Sequence, residues 1–155
     1  MIKTALEVQA EQATAMIEAT AAIEAVLQPE DAWDVPSINA LLSQSHIHLA
    51  TLSTDDGQVL AYCIYQQLFE QAEILRIGTH WDYQRQGLAS QLLTAVCALC
   101  DSRDVETMLL EVRADNTPAI ALYQRHGFVQ IHQRKGYYQT AHSAPIDALI
   151  MQRQV

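Results

Sequence analysis

Apolar and polar positions follow two periods along the chain. From Ala10 to Leu27, Met16, Thr20, Ile23 and Leu27 recur near every 3.6 residues within an Ala- and Glu-rich stretch. That spacing predicts a helix, which Pro29 closes. Asp34-Val35-Pro36-Ser37 carries cap and first-turn residues, and Ile38, Leu41 and Leu42 give a second helix a buried face. Strand-like patterns come next. Ile2 to Val8 reads as a short first strand, and His46 to Leu52 alternates loosely. Thr54-Asp55-Asp56-Gly57 is a turn that makes Gln58 to Leu68 a hairpin partner, and Ile74 to Thr79 is a further apolar strand. Leu88 to Cys100 predicts a helix burying Leu88, Leu92, Leu93, Val96 and Leu99. Met108 to Arg113 is a strand, and Thr117 to His126 is a helix with Pro118 at its start and Gly127 past its end. Phe128 to Arg134 and Ala148 to Gln152 are the last strands. The order predicts an α+β fold, mixed helices and strands around one sheet, without repeats or linkers.

The chain has 155 residues, a length that suits one domain over residues 1–155 and a core large enough to need no disulfide or metal. Hydrophobic residues make up 50% and charged residues 17%, a globular composition. Eighteen acidic residues face nine Lys and Arg, for a formal charge of -9. That charge argues against a nucleic-acid surface and against docking on anionic lipid. It suits an amine-bearing or cationic partner, or solubility alone. Three cysteines exclude a complete disulfide framework. Lys3 and Glu7 interrupt the first residues before a signal-length apolar run, and no run reaches the ~18 apolar residues of a membrane span. The expectation is a cytoplasmic protein without membrane contact.

Tyr83-Gln84-Arg85-Gln86-Gly87-Leu88-Ala89-Ser90 lies between a predicted strand and a predicted helix. Unpaired N–H groups and the dipole at a helix N-terminus favour an anion there. Gly87 permits close approach of a phosphate, Ala89 keeps the next turn small, and Arg85 adds a cation. The spacing fits neither a Walker loop nor a dinucleotide fingerprint.

Gln84-x-x-Gly87-x-Ala89 resembles the pyrophosphate-binding signature of the GCN5-related N-acetyltransferases. Leu110-Glu111-Val112-Arg113-Ala114-Asp115-Asn116, Ala119-Ile120-Ala121-Leu122-Tyr123, His126-Gly127-Phe128, Arg134-Lys135-Gly136-Tyr137-Tyr138 and Asp147-Ala148-Leu149-Ile150-Met151 follow in the family's order. Residues 74–153 resemble the bacterial ribosomal-protein-alanine N-acetyltransferases. The N-terminal half matches only in layout, with Trp33 before the second helix as its one local likeness. The resemblance implies a mostly antiparallel, splayed sheet flanked by helices. It also implies acetyl-coenzyme A as cosubstrate with no metal, and a protein N-terminus as acceptor, namely the N-terminal alanine of a small-subunit ribosomal protein. A monomer or weak dimer is expected.

Acyl transfer from a thioester needs a neutral amine. An α-amino group (pKa ~7.7–8) reaches that form more readily than a lysine (~10.4). Chemistry alone makes Glu111 a structural partner of Arg113 or a general base, and makes Tyr123 a core residue or a general acid. The resemblance implies the base for Glu111 and the acid for Tyr123. It implies coenzyme A contacts for Arg85, Gln86, Gly87, Leu88, Ala89, Ser90 and Asn116, the last of which can also cap a helix. It implies that Ile77, Gly78 and Thr79 grip the pantetheine arm, with a β-bulge as the other account of Gly78. Tyr137 and Tyr138 resemble acceptor-side tyrosines and would otherwise be an aromatic pair on a strand edge. Arg76 and His80 depart from the small polar or acidic residues expected beside that strand. Glu73 and Asp82 read as a solvated face or as charge for an incoming amine. Cys97-x-x-Cys100 falls inside a helix and reads as buried packing, as does Cys63. His46 and His48 lack a third metal ligand. Two rival readings stay open: a small amine as acceptor, and a non-catalytic coenzyme A-binding module.

Overall fold

A computed structural model describes residues 1–140 and 143–154. The chain runs β1 (Ile2–Ala5), α1 (Ala10–Leu27), α2 (Val35–Leu42), β2 (Ile47–Thr54), β3 (Val59–Leu68), β4 (Gln71–Thr79), a short 3-10 turn (Trp81–Tyr83), α3 (Leu88–Ser102), β5 (Thr107–Arg113), α4 (Thr117–Arg125), β6 (Val129–Thr140) and β7 (Ser143–Gln154). The seven strands form one sheet in the order β1-β2-β3-β4-β5-β7-β6. Every neighbouring pair is antiparallel except β4 with β5.

Each sheet face carries its own apolar layer, as alternation along a strand requires. On one face Ile17, Ile23 and Ile38 of α1 and α2 cover Leu49, Val59, Tyr62 and Ile64. On the other, Leu92, Leu93 and Val96 of α3 and Tyr123 of α4 cover Cys63, Tyr65, Ile74, Met108, Leu110 and Val112. The expected inward set of α3 is buried except Leu99, which is only partly covered. Asp34 caps α2 by accepting from Ser37 N–H at 2.9 Å.

Several element boundaries differ from expectation. β1 stops at Ala5, because Val8 N–H turns to the Leu49 carbonyl and the Leu6 carbonyl accepts from the Tyr65 hydroxyl. β4 begins at Gln71, since Phe69 takes a φ of 55° and closes a tight hairpin without a glycine. β6 and β7 extend to a long hairpin, whose exposed polar residues hide the alternation that marks a strand.

The feature that positions the site is a parting of strands. β4 and β5 pair only from Gln71–Thr107 to Ile74–Leu110. The β3–β4 register shifts at Ile64/Tyr65, leaving Leu75 as an extra residue in β4. Beyond that bulge Arg76 to Thr79 stay on β3, while Glu111 to Arg113 stay on β7.

Tyr62, Tyr65 and Tyr123 are buried, and burial pushes all three phenols above the ordinary tyrosine range. The folded chain therefore keeps protons that the unfolded chain loses above about pH 10. Their contribution is complete below that pH and declines above it, by at most about 1.4 kcal/mol per pH unit for each tyrosine. Chemical denaturation between pH 8 and pH 11 should show stability falling from about pH 10. Tyr65→Phe should flatten that decline.

Candidate active site

The loop after β4 is shaped for an anion. Arg85 and Gly87 take positive φ values of 64° and 77°, with Gln86 in the ordinary region between them. Such alternation turns successive N–H groups toward one side. Gly87 sits at the N-cap of α3, where no side chain satisfies the first turn, so the N–H groups of Leu88, Ala89 and Ser90 point outward from the positive end of the helix. Gln84 Nε2 donates to the Thr79 carbonyl at 3.4 Å and ties this loop to β4. The Ser90 hydroxyl turns instead to His126 Nε2 at 3.3 Å, alongside Thr94 at 3.1 Å. His126 Nδ1 donates to the Leu122 carbonyl at 2.9 Å, so this cluster joins α3 to α4. Asn116 caps α4 by accepting from Ala119 N–H at 3.3 Å and stays exposed.

The parted strands carry the other predicted residues. Glu111 alternates with the buried Leu110 and Val112, so it faces α1 and α2 and retains 29% side-chain exposure. Its ion-pair partner is Arg134 at 3.1 Å, whereas Arg113 pairs with Asp115 at 3.1 Å. The structural alternative for Glu111, a pairing with Arg113, is thus not the one formed. Two-residue spacing put them on one side, but the nearby Asp115 takes Arg113, and β6 delivers Arg134 across β7. Tyr123 comes from α4 on the opposite face and packs edge-on to Phe128. Tyr138 links the two: its phenol is raised by burial and by the Glu111 charge, and it also bears on Tyr123. Tyr137 stands edge-on to Tyr138 with centroids 5.2 Å apart and remains half exposed. Arg113 lies 5.8 Å from the Tyr138 ring, and Arg134 lies 5.3 Å from that of Tyr137.

Ile77 and Thr79 pair with Cys63 and Ala61, and Gly78 pairs with Tyr62. The bulge lies at Leu75, so Gly78 is not its cause. A Cβ at Gly78 would come 2.6 Å from the Tyr62 hydroxyl and 2.8 Å from its ring. The Tyr62 hydroxyl donates to Glu24, which is fully buried on α1 and accepts from Trp33 N–H at 3.2 Å. Arg76 completes this group, with Nε 3.4 Å from Glu24 and its guanidinium 4.4 Å from the Trp33 ring centroid.

Glu73 is half-buried, not a solvated residue. Gln66 donates to it at 3.1 Å, and burial together with neighbouring Glu111 raises its carboxyl pKa. Asp82 is exposed in the turn. Cys63, Cys97 and Cys100 are free and buried, and burial raises Cys97 and Cys100 to about 11. His48 packs tilted against Tyr65 and faces Glu7, and among the described residues no three His, Cys, Asp or Glu side chains form a metal cluster. No helix among the described residues is long and apolar enough to cross a membrane. Sequence reasoning missed Glu24, and it gave Arg134 and Asp147 no role of their own although both open family-like motifs. Glu24 did leave a signal, as a lone charge within the Thr20–Ile23–Leu27 stripe. Asp147 accepts from Gly136 N–H at 2.8 Å and so holds the bend before Tyr137.

A sheet opened between β4 and β5, with an anion-binding helix start at the mouth and a carboxylate on one arm, is the layout of a coenzyme A-dependent acyltransferase. The sequence pattern of the Acetyltransferase (GNAT) family matches residues 13–128. The chain belongs to that family, whose members use acetyl-coenzyme A. Within the family it is similar to the [ribosomal protein bS18]-alanine N-acetyltransferase of Escherichia coli, at 38% identity over 70% of this chain and 73% of the relative. The corresponding protein of Haemophilus ducreyi is 35% identical over 72% of this chain and 77% of its own. The crystal structure of the Escherichia coli ribosomal-protein-S18-alanine N-acetyltransferase superposes with a TM-score of 0.88 at 29% identity, covering 100% of this chain and 94% of that one.

Gly78→Ala should destabilise the protein by about 1–3 kcal/mol, because the buried Tyr62 ring must move and its bond to Glu24 must stretch. Urea titration measures this. An unchanged midpoint would mean that the ring has room to yield.

Proposed function

We propose that this protein acetylates the α-amino group of a protein N-terminus, with Glu111 as base and Tyr123 as acid. The observation that carries the reading is the parting of β4 from β5, which leaves Glu111 on one arm and backbone groups of Ile77–Thr79 on the other, with Tyr123 on the face under α3 and α4. Acetyl-coenzyme A would lay its diphosphate on Arg85, Gln86, Gly87, Leu88, Ala89 and Ser90, with Asn116 beside it. The uncapped helix start supports that fit. Its pantetheine arm would run along Ile77, Gly78 and Thr79, whose N–H groups would polarise the thioester carbonyl.

The amine nitrogen attacks the thioester carbon, and its proton passes to Glu111. Arg134 faces one Glu111 oxygen through Nη1 at 3.1 Å, and the amine would approach the other. As the C–S bond breaks, the Tyr123 hydroxyl gives its proton to the departing sulfur. Burial keeps that phenol protonated past the ordinary tyrosine range, so it reaches the reaction as an acid. Tyr137 and Tyr138 would flank the first residues of the acceptor. The named relatives act on the N-terminal alanine of ribosomal protein bS18, which supports a ribosomal N-terminus as acceptor here. Solvent reaches Glu111 and Tyr137, which suits a peptide entering from outside better than an enclosed small amine.

Thiol release from acetyl-coenzyme A tests this reading with peptides starting Ala, Ser, Met or Gly, an N-terminally blocked peptide with an internal Lys, and spermidine. Wild type should turn over the Ala peptide and not the blocked one. Glu111→Gln should lower kcat by roughly 10²–10⁴-fold, and Tyr123→Phe should also lower kcat. Turnover only on spermidine or the internal Lys would reject an α-amine acceptor, and full activity of Glu111→Gln would remove it as base. Gly87→Ala has open space around the new Cβ but a φ of 77° to strain. It should raise the KM for acetyl-coenzyme A by about tenfold, corresponding to ~1.4 kcal/mol, without raising that for peptide.

A further inference from the structure

The connection between α1 and α2, residues 28–34, contains a single turn closed by Asp31 N–H to the Gln28 carbonyl at 3.2 Å. Its position comes mainly from Arg76. Nη1 donates to Gln28 Oε1 at 3.1 Å, and Nη2 donates to the Asp31 carbonyl at 2.7 Å and faces its carboxylate at 3.5 Å. The guanidinium lies on Trp33, while Nε faces the buried Glu24. One side chain thus joins three positions of the connection to β4, three residues before Thr79. Only a planar fork of donors reaches all of them at once. The connection borders the cleft through Arg76 itself, which stands on the arm of β4 that has parted from β5 and bonds to Gln28 and Asp31.

We propose that Arg76 is a positioning residue for the acceptor, fixing residues 28–34 as one wall of the groove in which the acceptor N-terminus lies and thereby setting acceptor affinity and selectivity. The inference rests on the α-amine reading above. Arg76 need not touch the acceptor, because it acts through the connection it holds. The connection meets the face of the sheet that carries Glu111, whereas the anion loop at 84–90 is tied to β4 separately, through Gln84 and the Thr79 carbonyl, so loosening the connection leaves the diphosphate side of the coenzyme A site intact.

The test combines steady-state kinetics with hydrogen exchange on the full chain for Arg76→Gln, Arg76→Lys and Asp31→Ala. Arg76→Gln should speed amide exchange at residues 28–34 by tenfold or more. It should raise KM for an Ala-starting peptide by tenfold or more and narrow its preference over Ser- and Gly-starting peptides. KM for acetyl-coenzyme A should stay within twofold. Arg76→Lys keeps the charge without the fork and should lie between. Asp31→Ala changes an exposed side chain whose backbone carbonyl still binds Arg76, and should raise peptide KM by about two- to fourfold. It carries the test if Arg76→Gln does not fold. Peptide KM within twofold of wild type in both Arg76→Lys and Asp31→Ala, equal rises in both KM values, or unchanged exchange at 28–34 would overturn the assignment. A wild type inactive on every α-amine peptide sinks the acceptor reading, whereas an active wild type with unmoved variants sinks only the role of Arg76.

Discussion

After Ile74 the fourth strand loses its parallel neighbour, and the rest of the architecture follows from that loss. Backbone N–H and C=O groups are obligatory hydrogen-bonding groups, and leaving them unpaired away from water costs free energy. A sheet that opens in its middle therefore presents polar backbone on both arms, which solvent or an extended ligand must satisfy. The open arms are kept apart by their outer neighbours. β3 holds Arg76 to Thr79 by continuous pairing, and β7 holds Glu111 to Arg113. The Leu75 bulge bends β4 at the point of parting, so the opening is built into the register and not left to mobility.

The two faces of this opening differ in charge. The face under α3 and α4 is apolar, and the Tyr123 phenol is buried in it. The face under α1 and α2 carries Glu24, Glu73 and Glu111. In a chain with only nine Lys and Arg, three arginines gather here: Arg76 meets Glu24, Arg134 meets Glu111, and Arg113, over the Tyr138 ring, meets Asp115. Glu73 is bound by the neutral amide of Gln66 among the described residues. Charge on this face is thus mostly paired, and the net charge of -9 lies largely elsewhere. The overall acidity alone would not have shown this distribution.

Most of the fold was legible because periodicity survives wherever one face is buried. α1, α3 and β5 alternate cleanly between core and solvent, and their limits fall within two residues of expectation. The anion loop was legible through Gly87, whose positive φ a side chain would strain. Features set by long-range contacts were not legible. The hairpin at Phe69 lacks a turn residue, and the outer half of β6 is polar on both sides. Gly78 looked like room for a ligand or the seat of a bulge, yet its missing Cβ is where Tyr62 packs from the neighbouring strand. Arg76 stood out only as a departure from expectation, because its partners lie 43 to 52 residues away in the chain (Trp33 and Glu24).

The energetics of the Glu24–Tyr62–Arg76 group bear on why such a group is present at all. Removing charges from water costs several kcal/mol per ion, and a well-packed hydrophobic substitute is often as stable as a buried pair. Net stability is therefore a weak reason for placing Glu24 under the sheet. Removing one member leaves the other buried and unpaired, which costs about 3–5 kcal/mol, so the group resists piecemeal change. A hydrophobic cluster would have held α1 on the sheet without specifying where residues 28–34 lie. Hydrogen bonds to Gln28 and Asp31 do specify it, because they fail when the connection shifts by about an ångström. What the buried charges add over apolar packing is direction, applied to the connection that Arg76 joins to the open arm of β4.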